Sequence, residues 1–354
     1  MTKSTQDLLA KNEMLAKDLL AANADAVDRE RRFPRQNLEA LARNGLLGLT
    51  VPSEFGGAGA GIPEMAQALE RMAQACASTA MVTLMHYCGT AVLAAHGSPT
   101  LKQSLLPQVA RGEHLMTLAF SEAGSGGHFY MPVSEVRKIG AGLRLTARKS
   151  FVTSAGEADS YVISARKAGA TGPTDLDLYL VPKGTKGFEV GKPSEGLGLA
   201  GNASAPMSLE DVDLKAENRL GSEGSGFQTM MEVVLPRFQV GMAAISLGIA
   251  AAAFQAATAL ELRSARAYLA ETIRRVAAGD PETMLDVLGI KARAAEAALA
   301  VASRAMTLGG GAAFGRRGGM ERVFRDAQAA SVMAPATDVL KEFLGKACLG
   351  VPLF

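Results

Sequence analysis

The chain has 354 residues, enough to bury two or three packed units rather than one. Its 37 Lys and Arg against 35 Asp and Glu leave a formal net charge of +2, without the cationic excess a phosphate backbone demands, so nucleic acid is not an expected partner. Three cysteines, Cys76, Cys88 and Cys348, form no CxxC pair and suit neither a disulfide framework nor a zinc site, which points to a reducing cytoplasm and no bound metal.

The first region, 1–118, reads as a helical domain, because apolar residues recur at helical spacing in NLEALARNGL and EMAQALERMAQACASTAMVTLMH. Its opening alternates charges with leucines and lacks the apolar core of an export signal. One interruption, TVPSEFGGAGAGIP, has the proline and glycine density of an ordered loop. The second region, 119–220, holds short runs rich in β-branched and aromatic residues, LRLTARKSFVTS, SYVISARK, LDLYLVPK and GFEV, and reads as an antiparallel β domain. The tract KAGATGPTD between two of these runs reads as a solvent-facing hairpin connection with no function.

The third region, 221–354, returns to helical periodicity and closes the chain as a bundle, with glycine-rich breaks near Asp280 and at 308–319. Val240 to Leu260 is apolar for long enough to raise a membrane span. It is mostly alanine and is interrupted by Ser246, Gln255 and Thr258, so a buried bundle helix is expected and no span. The fold class is α+β multidomain: N-terminal helical domain, middle antiparallel β domain, C-terminal helical bundle.

Five strings, in order along nearly the whole chain, resemble the acyl-CoA dehydrogenase family of flavoproteins. GLTVPSEFGGAGAG is similar to the family's N-terminal signature, and HGSPTLKQSLLPQVARGE to the end of its first domain. KSFVTSAGEADSYVIS resembles its first β-domain motif, GLGLAGNASAPMSLEDVDLKAENRLG the strand leaving that domain, and LGGGAAFGRRGGMERVFRDA its C-terminal glycine turn and Arg-Asp-Ala.

The resemblance implies bound FAD. Phe120 and Ser121 would border the pyrimidine side of the flavin, Phe151 would take the stacking position usually held by Trp, Val152 would lie beside it, and Thr153 would bond near the reactive N5. Gly309 and Gly310 would let the backbone approach the adenine half, often a neighbouring subunit's, and Thr337 and Asp338 fall where the family contacts FAD. Ser125, in a shortened SEAGSGG loop, stands where the family contacts an acyl thioester, and Arg237 lies near its acyl-CoA arginine. By themselves these residues also read as an alternating strand, helix-end glycines, a loop serine and a surface arginine.

One element of the family pattern is missing. Removing an α proton as the β hydrogen leaves as hydride requires a base within reach, and the family uses a glutamate. Its two usual positions are occupied here by Ala334 and Pro236. Glu232, Asp338 and the loop histidine His128 are the remaining candidates, each of which also reads as an ordinary solvent-facing group. Met306 and Ala200 also depart from the pattern, and ELRSARAYLAE lacks its Arg-x-x-Phe-Gly string.

Three functions follow. The first is an FAD-dependent oxidoreductase acting on an acyl-CoA or related thioester, passing electrons to an acceptor such as an electron-transfer flavoprotein and assembled as a homodimer or homotetramer. The second is a flavoprotein of the same fold with desulfinase or monooxygenase chemistry, and the third a non-catalytic scaffold.

Overall fold

The computed structural model describes residues 3–126, 128–140, 142–253, 259–315 and 319–353. Gly127 of the SEAGSGG loop, 254–258 of the apolar stretch and 316–318 of the glycine-rich tract lie outside the described residues.

The N-terminal helices are α1 (Lys3–Leu15), α2 (Ala21–Arg29), α3 (Arg35–Arg43), α4 (Ile62–Ala75), α5 (Ala77–His96) and α6 (Pro99–Ala110). Their starts follow local chemistry. The Glu64 carboxylate accepts from the Gly61 N–H ahead of α4, and Ser98 Oγ accepts from Leu101 N with Pro99 at the first position of α6. Helix α5 is apolar almost all round and accordingly runs through the interior. Its His86 ring bridges Leu47 O at Nε2 and Met116 N at Nδ1, tying the first domain to the first strand. Burial depresses this imidazole to about 4, so it stays neutral and structural.

The strands are β1 (Met116–Ala119), β2 (Glu135–Ile139), β3 (Gly142–Val152), β4 (Ser160–Arg166), β5 (Leu176–Pro182), β6 (Phe188–Val190), β7 (Ala205–Leu214) and β8 (Arg219–Leu220), in the order β6-β7-β3-β2-β4-β5-β8. The sheet is mixed rather than purely antiparallel. β1 runs parallel to β4, from Met116 beside Ser160 to Ala119 beside Ile163, because a long excursion rather than a tight turn joins them. β4 and β5 are buried on both faces, Ser160 and Ser164 of β4 and Asp177 of β5 included.

Against β7, β3 carries two register shifts. Between Leu145 and Ala147 the extra residue lies on β7, where Asp211 has φ 50°, and between Lys149 and Val152 it lies on β3, where Phe151 has φ 51°.

The closing bundle comprises α7 (Gly226–Thr229), α8 (Leu235–Ala253), α9 (Ala259–Ala277), α10 (Met284–Phe314), α11 (Met320–Ala327), α12 (Ala329–Val332) and α13 (Thr337–Cys348). A wide π-type turn, Met230–Val234, joins α7 to α8 just before Pro236, whose missing N–H and ring conflict with the carbonyl four residues back. Helix α8 packs closely on α4: a Cβ at Gly248 would lie 2.3 Å from the Glu70 carbonyl oxygen. The break expected at 308–319 is first a kink inside α10, at Gly310 (φ 54°, ψ −146°).

Among the described residues three helical stretches could by length and composition cross a membrane: Ala77–His96, Gly226–Ala253 and Pro281–Phe314. The first two are largely buried against other helices, and the third carries Lys291, Arg293 and Glu296 along its length.

Candidate functional site

The sharpest local departure is at Phe151. A bulky residue with positive φ is strained, and here the extra residue of the bulge turns the ring outward, leaving it 71% exposed while Lys149 and Val152 on either side stay buried. The β1 end lies alongside. Ser150 N donates to Ser121 O, and Thr117 Oγ1 donates to Thr153 O, so Phe120, Ser121, Phe151, Val152 and Thr153 form one neighbourhood. Ser154 follows in a left-handed conformation with its hydroxyl buried and unpartnered.

The loop between β1 and β2 is held by a pair that sequence reasoning passed over. Glu122 and Lys149, both fully buried, form a tight ion pair, and Lys149 Nζ also donates to Ser164 O at 2.6 Å. The second Glu122 oxygen accepts from Val133 N (2.7 Å) and Ser134 N (2.9 Å), pinning the far end of the loop. Burial lowers the Lys149 amine to about 8, against the upward pull of Glu122. Strand alternation alone would put Lys149 and Phe151 on one face, and the bulge between them turns the lysine inward to its carboxylate. Ser125, itself buried, turns its hydroxyl back onto Glu122 O, and His128 N donates to Ser125 O. The His128 ring sits 5.8 Å from Tyr130, which also meets Phe227 of α7 and Phe343 of α13.

A second buried lysine governs the segment carrying Ala334. Lys291 of α10 donates to Met333 O and Pro335 O, both at 2.6 Å, and so clamps the residues on either side of Ala334. Burial pushes its amine down to about 7. Just beyond, Thr337 is buried with its hydroxyl unpartnered, whereas Asp338 points to solvent.

On the α7–α8 rod, Glu232 is exposed and accepts from Gln228, while Arg237 is half-buried, lies within electrostatic reach of Cys88 on α5 and donates to Val233 O. Gly309 and Gly310 are exposed and stand apart from the rest. Nineteen residues separate Lys291 from Gly310 on α10, roughly 28 Å of helix, so these glycines do not join the Thr337 neighbourhood of their own chain.

The Arg-Asp-Ala string fastens the three regions together. Arg325 bridges Asp28 of α2 and Leu197 O, and Asp326 accepts from Leu199 N at 2.7 Å. Burial raises the Asp326 carboxyl to about 6.

A helical domain, a mixed sheet and a closing bundle, with an aromatic ring turned out on a strand bulge beside a loop anchored by buried charge, define a three-domain architecture. The N-terminal, middle and C-terminal domains of acyl-CoA dehydrogenase match residues 2–113, 117–212 and 255–349. A short-chain-specific acyl-CoA dehydrogenase of Clostridium acetobutylicum is 28% identical over 346 residues, covering 90% of each chain. An acyl-CoA dehydrogenase of Bacillus subtilis is 31% identical over 256 residues, 71% of this chain and 67% of the relative. Butyryl-CoA dehydrogenase from Megasphaera elsdenii shares the fold, with a TM-score of 0.91 over 99% of both chains at 22% identity. The chain belongs to the acyl-CoA dehydrogenase family, a family of oxidoreductases.

Proposed function

We propose that the chain is an FAD-dependent oxidoreductase that oxidises an acyl-CoA or a related acyl thioester. The observation that carries this reading is Phe151, an aromatic ring left exposed on a strained, left-handed bulge. Strain at such a position is retained where the exposed group has a partner to meet. The residues fit an FAD: Phe151 offers an apolar face, and Ser154 and Thr337 carry buried hydroxyls without partners among the described residues. When bound, FAD supplies the acceptor for the hydride that leaves the substrate β carbon.

The chain's own groups have separable tasks. Phe151 and Val152 support the ring, and Thr153 and Ser121 serve its polar edge, held by the Glu122–Lys149 strut. Ser125 and Arg237 orient the thioester, Arg237 being a half-buried cation without an ion-pair partner among the described residues. Gly309 and Gly310, remote within one chain, serve the cofactor of a neighbouring copy, which calls for a homodimer or homotetramer. Among Glu232, Asp338 and His128, the last lines a cavity together with Ser125, which makes it the first proton acceptor to test. An electron-transfer flavoprotein is the class of acceptor that fits, and the cytoplasm the compartment.

The test is spectroscopic. The purified protein should be yellow, and anaerobic addition of a saturated acyl-CoA should bleach it, faster in an Ala334→Glu variant. Binding without bleaching, together with turnover of a sulfinated thioester or oxygen-dependent turnover, would replace this reading with desulfinase or monooxygenase chemistry. A colourless protein that FAD cannot reconstitute would leave a scaffold.

A further inference from the structure

Left-handed backbone is concentrated where the β domain meets both helical regions. Of the six described non-glycine residues with positive φ, Phe151 and Ser154 lie in one segment, and Leu199 and Ala203 in a second that pairs with it. Ser154 N donates to Asn202 O at 2.9 Å and Ala155 N to Ala203 O at 3.1 Å, so the two segments hold their strain together. Such residues persist where their surroundings over-determine them. Here those surroundings lie outside the sheet. Asp326 of α11, itself buried, accepts from Leu199 N at 2.7 Å, and Arg325 beside it donates to Leu197 O at 2.8 Å. A Cβ at Gly198 would stand 2.5 Å from the Arg325 carbonyl oxygen, and one at Gly201 2.7 Å from that of Arg32, just beyond α2. Ser78 Oγ of α5 accepts from Gly201 N at the longer distance of 3.3 Å. The 197–203 segment is thus wedged between the two helical regions. Asp28 of α2 engages Arg325, while Asp326 directs a carboxylate oxygen at the backbone of the segment.

We infer, resting on the reading of Phe151 as the support of the flavin, that Asp326 is a positioning residue for that support. By holding Leu199 it fixes the 199–203 segment, which in turn fixes Ser154 and Ala155 and with them the bulge that turns Phe151 outward. Each step is a hydrogen bond: Leu199 N to Asp326, Asn202 N to Leu199 O at 3.0 Å, and the amides of 154 and 155 to the carbonyls of 202 and 203. The flavin-facing edge of the sheet therefore takes its shape from the closing bundle. A carboxylate accepts a charge-assisted bond at this point, a carboxamide oxygen in the same place accepts a weaker one, and alanine accepts none. With the acceptor gone, Leu199 is free to leave the left-handed region, and the paired segment loses what keeps Phe151 there.

The experiment compares the full-length wild type with Asp326→Ala, Asp326→Asn and Ser78→Ala by two readouts. Hydrogen exchange followed by mass spectrometry reads the amides of 151–156 without any flavin, and flavin fluorescence reads the dissociation constant for FAD. In Asp326→Ala the 151–156 amides should exchange about tenfold faster and the dissociation constant should rise about tenfold, as loss of one charge-assisted hydrogen bond provides, while α4 and α5 exchange as in wild type. Asp326→Asn should bring both readouts back to within about threefold of wild type. Ser78→Ala removes the weaker hold on Gly201 and should move both in the same direction by about twofold, which keeps the test available should Asp326→Ala fail to fold. Unchanged exchange at 151–156 in Asp326→Ala, or in Ser78→Ala where that variant alone folds, overturns the inference. So do equal losses in the Asn and Ala variants accompanied by faster exchange throughout α4 and α5, which mark general destabilisation. A chain that binds no FAD yet shows the exchange pattern loses the flavin reading and keeps the link from Asp326 to Phe151. FAD affinity untouched by Asp326→Ala removes the positioning role alone.

Discussion

Lys149 in the β domain and Lys291 in the closing bundle are both fully buried, yet they are kept in opposite ways. Lys149 faces the carboxylate of Glu122, so the charge stays within the loop it anchors. Among the described residues Lys291 meets only the carbonyls of Met333 and Pro335. Its neutral amine carries two N–H groups for those two acceptors, whereas the ammonium carries a third with no partner among the described residues. The β-domain side of the site is therefore built as a closed electrostatic unit. The bundle side holds the turn that carries Ala334 with an amine that burial pushes down to about 7. Two buried amines in one chain are thus satisfied by different means, one by an opposite charge and one by backbone carbonyls.

Breaking the closed unit should have the largest effect. Glu122→Ala strands a buried ammonium and two backbone N–H groups, and urea unfolding should show a loss of about 3–5 kcal/mol. A loss below about 1 kcal/mol would mean the loop does not depend on the pair.

Lys291→Met comes next, and its cost should depend on pH. The folded pKa of about 7 lies below the ordinary lysine value of 10.5, so this group's stabilisation is complete above 10.5 and is lost as pH falls through 7. Leaving two carbonyls unpaired should cost about 2 kcal/mol at pH 9 and visibly less at pH 6, where the wild type carries the buried charge. Parallel thermal melts of the two proteins check this, and a pH-independent difference would show that Lys291 does not titrate in the folded state.

Phe151→Gly should act in opposite directions on the two forms of the protein. Relief of the left-handed strain should stabilise the apoprotein by about 1 kcal/mol, while FAD affinity, followed by flavin fluorescence, should weaken. Smallest of all, Arg137→Ala removes an exposed partner of Asp211 and should change stability by less than about 0.5 kcal/mol, which sets the scale for a pair left in water.

The three regions were legible because periodicity reports which face of an element is buried. SYVISAR and LDLYLVP, short and rich in β-branched and aromatic residues, read as strands, and EMAQALERMAQ, apolar at helical spacing, as an amphipathic helix. The family strings then placed Phe120, Phe151 and Thr153 in a single neighbourhood. Periodicity is silent on pairings distant in sequence, so the strut from Glu122 to Lys149 and the bridge from Arg325 to Asp28 went unread.

Residue order alone thus determined the sequence of helical, β and helical regions, the approximate place of the strands and the presence of Ala334 and Pro236, since these are local properties of side-chain pattern and identity. Tertiary structure decided the parallel pairing of β1 with β4, the outward turn of Phe151, the clamp of Lys291 on the 333–335 segment and the burial of Arg166 Nε without a hydrogen-bond partner among the described residues. Those depend on which groups meet across the fold and which are left without a partner once water has been removed, and only three-dimensional packing specifies that.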